Sequence, residues 1–130
     1  MPALSQSLEF VNFTTSSVSV VYPNTATGVV VFTSAKAKGD GYYGNSDGFH
    51  TVTYTTNLNF VGTVTMQATL ATDPVESDWF DVQDTAVTYT EFDERTDSTV
   101  NYYNFTGNFV WVRGHLRIKD GILEAIQYNH

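Results

Sequence analysis

Residues 108–119, Asn-Phe-Val-Trp-Val-Arg-Gly-His-Leu-Arg-Ile-Lys, alternate with a period of two. The even positions Val110, Val112, Gly114, Leu116 and Ile118 make one apolar face. The odd positions Phe109, Trp111, Arg113, His115, Arg117 and Lys119 make the other. Successive side chains of a strand point to opposite sides, so this is a long strand with one face committed to a core. Its odd face passes from aromatic to cationic and must meet another layer of the domain, a partner or a ligand.

Strand-like runs follow one another along the rest of the chain, at 8–13, 17–22, 28–34, 49–56, 60–70, 78–82, 86–92, 99–106 and 122–128. In 60–70, Phe60, Gly62, Val64, Met66, Ala68 and Leu70 alternate with Val61, Thr63, Thr65, Gln67 and Thr69. Turn signals stand at Pro23-Asn24, Gly39-Asp40-Gly41, Asp47-Gly48, Thr106-Gly107-Asn108 and Asp120-Gly121. Asp-Gly between two apolar runs is a preferred hairpin pair, because both central residues of that turn need positive φ. The sequence therefore predicts that 108–119 pairs antiparallel with 122–128. Many short strands at this spacing indicate an all-β, antiparallel β-sandwich of jelly-roll type, one domain spanning 1–130. Of the odd face, Phe109 and Trp111 are expected to pack inside the sandwich, which leaves Arg113 to Lys119 for a contact.

Charge sharpens that expectation. The chain has 14 acids, 6 Lys and Arg, and a net charge of −8. Asp73, Glu76, Asp78, Asp81, Asp84, Glu91, Asp93, Glu94 and Asp97, against Arg95 alone, account for all of it. A nucleic-acid partner needs a basic footprint that this balance does not supply. The N-terminus has no basic region followed by an apolar run, so no signal peptide is expected, and no stretch reads as a membrane span. With no cysteine there is no disulfide framework.

Several patterns bear on chemistry. Asp40, Asn45 and Asp47 in the loop 39–48 offer oxygen ligands for calcium, but the spacing is not that of an EF-hand, and a glycine-rich loop is the preferred reading. Tyr42 and Tyr43 would then be contact residues, for instance for a glycan. Asp73, Glu76, Asp78 and Asp81 suggest a glycosidase pair only weakly, since acids in a turn-rich segment are usually solvated. His50, His115 and His130 share no ligand spacing, and Arg113 and Arg117 would repel a metal from His115. Tyr42, Tyr43, Trp79, Tyr102, Tyr103, Phe109 and Trp111 form either a sugar-stacking platform or core, and core is preferred. Neither an enzyme nor a cofactor is expected. Asn12-Phe-Thr14 and Asn104-Phe-Thr106 match the glycosylation sequon by chance in this reading.

An acidic segment and a basic strand face on one small domain can meet between copies in a heterologous contact, or within one subunit. The expected contact residues are Trp111, Arg113, His115, Arg117 and Lys119 on the basic side and Asp78, Trp79 and Asp81 on the acidic side. Changing Arg113 and Arg117 to Glu is expected to abolish assembly and leave the fold intact.

The segments Gly39-Asp40-Gly41-Tyr42-Tyr43-Gly44, Asp47-Gly48-Phe49-His50-Thr51-Val52, Gln67-Ala68-Thr69-Leu70-Ala71, Asp73-Pro74, Asp78-Trp79-Phe80 and Phe105 to Arg113 together resemble small virion structural proteins of tailed phages, of the T4-like and cyanobacterial type. The similarity covers 39–130 and brings no functional residues with it. It implies a non-enzymatic subunit that assembles in the host cytoplasm onto the virion, at the tail or baseplate or as a head decoration. Its partners would be its own copies or other virion proteins. The alternative is a carbohydrate-binding module for a host surface glycan.

Overall fold

The computed structural model describes residues 5–8, 10–12, 15–17, 20–21, 28–39, 41, 48–56, 60–89 and 99–129. Among these lie thirteen strands. They are β1 (Ser5–Ser7), β2 (Phe10–Asn12), β3 (Thr15–Ser17), β4 (Val20–Val21), β5 (Val30–Thr33), β6 (Ala37–Lys38), β7 (Phe49–Thr56), β8 (Val61–Thr69), β9 (Phe80–Asp81), β10 (Val87–Tyr89), β11 (Thr99–Thr106), β12 (Trp111–Asp120) and β13 (Ile122–Asn129). A 3-10 turn covers Glu76–Asp78.

Two antiparallel sheets face each other. One runs β1-β13-β7-β11, with β4 also on β13, and the other runs β10-β8-β12-β5, with β9 on β8 and β6 on β12. The connections β7 to β8, β10 to β11, β11 to β12 and β12 to β13 each pass from one sheet to the other. This is the double-sheet jelly roll that the strand spacing predicts. The separate β2–β3 ribbon pairs Phe10–Asn12 with Thr15–Ser17.

Alternation places the core. Val112, Leu116 and Ile118 of β12 are fully buried, as are Val64, Met66 and Ala68 of β8 and Val52 and Tyr54 of β7. Tyr54 donates to the Thr85 carbonyl at 2.7 Å, and burial pushes its phenol pKa up. His50, also buried, donates from Nε2 to the Gly107 carbonyl at 2.6 Å, since a carbonyl only accepts. Its Nδ1 is 2.7 Å from the Tyr128 hydroxyl, and its ring stacks on Phe105 at 4.7 Å. His50, which shares no ligand spacing with the other histidines, is thus a core residue tying β7 to β13.

Three expectations are corrected. The pair Asp120-Gly121 does not close a hairpin: β12 pairs with β5, β6 and β8, and β13 with β1, β4 and β7. Only Gly121 takes positive φ (82°), so the two-residue hairpin turn, which needs it at both positions, does not form. The Asp120 carboxylate instead accepts from the Gly121 amide at 2.8 Å, and the chain turns a corner between sheets. Second, Asp78-Trp79 is not strand. Asp78 accepts from the Val75 amide at 2.9 Å and donates its own amide to the Val75 carbonyl, which closes a turn before β9 begins. Third, Trp111 is not inside the sandwich. Phe109 does pack against the core, but Trp111 stands on the outer face of β12.

Candidate functional site: the outer face of β12

The outer face of β12 divides into a covered half and an open half. At the covered half, Trp111 donates from Nε1 to the Thr72 carbonyl at 2.9 Å, and Lys36 Nζ stands 4.6 Å from its ring centre. Arg113 donates from Nε to Gln67 Oε1 at 2.8 Å, across the β12–β8 pairing that sets Arg113 opposite Gln67. Its two terminal nitrogens grip Glu76 at 2.6 and 3.1 Å. The guanidinium also lies 4.3 Å from the centre of the Trp79 ring. The Arg113 side chain is 8% exposed and that of Glu76 80%, so the segment around the 3-10 turn folds back as a lid over the arginine. The guanidinium beside Glu76 holds that carboxyl below its usual range.

Acid and base, which the sequence allowed to meet either between copies or within one subunit, therefore meet within one subunit at Arg113. Of the expected acidic contacts, Asp78 is spent on the Val75 amide and Asp81 accepts from Gln67 Nε2 at 2.9 Å. His115 is half-buried. Burial lowers its pKa first; Asp81 opposes that, and Arg113 and Arg117 add to it.

The open half begins at Arg117. Its neighbours across the two flanking strands are Val31 of β5 and Thr63 of β8. Val29 and Val31 are each 52% exposed beside it. The β12–β8 register shifts between Ile118 and Asp120, which puts Lys119 at a bulge, where strands commonly re-aim a side chain. Arg117 and Lys119, both exposed, line a shallow depression of about 310 Å³ with Val29, Thr63, Thr88 and Tyr89. Neither forms an ion pair among the described residues. Sequence periodicity supplied the two cations but missed the valines. Val29-Val30-Val31 reads as a uniform apolar run, and only the pairing with β12 shows that Val31 faces outward.

The other expected contacts do not gather on this face. Asp40, Tyr42, Tyr43, Asn45 and Asp47 lie outside the described residues. Tyr102 stands on the outer face of the opposite sheet, and Tyr103 and Phe109 pack against the core. The aromatics whose positions are described are thus divided between two outer faces and the core and make no common platform. A second concavity of about 530 Å³ opens where β9 meets the end of β11, lined by Phe80, Asp81, Asp84, Asn104, Phe105 and Phe109 among others.

No family model matches the chain, and no curated protein sequence matches it.

Proposed function

We propose that the protein is a non-enzymatic structural subunit, of the virion type its sequence resembles, which assembles through protein–protein contacts. Its basic contact is the open end of β12, Arg117 and Lys119, with Val29 and Val31 beside them. The acidic counterpart is the segment 73–97 of a neighbouring copy, which carries nine acids against one base.

The observation that carries this reading is the unequal treatment of the three cations on one face. Arg113 is buried and doubly paired within its own chain, whereas Arg117 and Lys119 are exposed beside exposed valines and form no ion pair among the described residues. Cations next to apolar surface suit an interface with a polar rim better than a solvated face. A head-to-tail contact of this kind is heterologous and continues into a ring or lattice.

Salt separates the contact from non-specific association. At about 0.1 M salt the screening length of about 10 Å damps the long-range repulsion between copies of net charge −8 but leaves charges in contact coupled. At about 1 M, where it is about 3 Å, the contact itself weakens. Light scattering should show a mass that grows with protein concentration at the lower salt and much less at the higher. A mass independent of both contradicts the proposal.

A further inference from the structure

We propose that β11 is a strand-pairing edge to which a second copy of this chain adds its own β11, antiparallel and across a two-fold axis. The sheet β1-β13-β7-β11 then continues from one protomer into its partner. This surface lies on the opposite sheet from Arg117 and Lys119 and is independent of them.

Edge strands present unpaired backbone donors and acceptors, and proteins blunt them by keeping them short or by adding charge, proline or a bulge. Among the described residues the other edges of this sandwich are short. β1 and β10 have three residues each, β4, β6 and β9 two each, and β5 four. β11 has eight, Thr-Val-Asn-Tyr-Tyr-Asn-Phe-Thr, with no charge and no proline. It pairs with β7 without a register shift from Thr99 to Thr106, so no bulge twists it away. Among the described residues, no strand pairs with its other side. Every second residue of an antiparallel strand aims its amide and carbonyl away from its partner, so that side carries a row of groups with no strand partner among the described residues. The outward face beside that edge carries Val100, 62% exposed, and Tyr102, 68% exposed.

A second copy fits this edge better than a charged partner strand. An antiparallel strand is self-complementary about a two-fold axis, and the absence of charge lets two chains of net charge −8 meet here without opposing carboxylates. Parity fixes the register to within two residues, because a slip by one would set the core face of one copy against the solvent face of the other. Placing Tyr102 opposite the partner's Tyr102 stacks the two exposed rings and sets Val100 diagonally beside them. Such cross-strand aromatic and β-branched neighbours are the unit of sheet stabilisation.

The test is run at about 1 M salt, where the charge contact of β12 is screened, so that failure of one contact does not imply failure of the other. Sedimentation velocity should give twice the chain mass for the wild type. Val100→Lys and Tyr102→Lys, both at exposed positions, should each halve that mass with an unchanged far-UV circular dichroism spectrum. The chain has no cysteine, so a single Tyr102→Cys variant reads the register without background. Mild oxidation should link it into a dimer, while Gln127→Cys, exposed two strands away, should stay unlinked. A wild type that is monomeric in high salt, or lysine variants that remain dimeric, would overturn the proposal.

Discussion

Arg113 points away from the core yet is among the buried residues, and that combination sets what its substitution should do. Its bonds to Gln67 and Glu76 and its stack on Trp79 hold the lid segment against the sheet. Hydrogen bonds to a charged group are worth about 1.5–3 kcal/mol each, discounted here because Glu76 is largely in water. Arg113→Ala should lower the unfolding free energy by about 1–3 kcal/mol in urea titrations. Arg113→Lys should restore only part of it, since an ammonium cannot grip a carboxylate with two parallel bonds or stack flat on indole. Arg113 is accordingly a folding residue, and charge reversal to probe assembly belongs at Arg117 and Lys119. The pH response has its own order. Burial holds the folded pKa of His115 below the ordinary 6.5, so the stability tied to its neutral ring is full above 6.5 and lost as pH falls from there toward the folded value. Glu76, held down by Arg113, contributes above 4.5 and loses that contribution only as pH falls through its lowered value. Thermal melts should therefore fall in two stages on acidification, and His115→Gln should remove the first stage alone. The cationic face was legible in the alternation of 108–119. The lid was not, because a loop returning over a sheet leaves no periodic trace.

The corner between β12 and β13 shows where local signals stop deciding. Asp-Gly favours a hairpin, and both flanking runs hold strands, the first beginning at Trp111 and not at Asn108, but a jelly roll sends consecutive strands to different sheets. The tertiary arrangement overrides the turn preference, and the same two residues serve as a corner with positive φ at Gly121 alone. A register shift between Leu123 and Ala125 then changes which parity of β13 faces inward, from Leu123 to Ile126 and Tyr128. Strict alternation could not foresee that change. Gly121→Ala should destabilise the fold by about 1–2 kcal/mol, the cost of a Cβ in the left-handed region. Gly121→Asn should cost less, since asparagine tolerates that region better. Urea midpoints of the two variants check the order, and equal values would mean that the corner relaxes out of positive φ.

At the scale of the whole molecule, two surfaces on opposite sheets carry the account: a cationic, partly apolar end of β12 and an uncharged edge at β11. Sandwich, core face and cations followed from periodicity and composition. The edge at β11 did not, because being at an edge is a property of the sheet order and not of the strand. A heterologous contact combined with a two-fold one would build extended arrays from a small domain, as the proposed function asks. The most direct measurement is the mass of the wild type and of the Arg117→Glu/Lys119→Glu variant by sedimentation at about 0.1 M salt over a range of concentrations. The account predicts a wild-type mass that climbs past the dimer with concentration and a variant that does not. Equal masses for the two proteins at every concentration would contradict it.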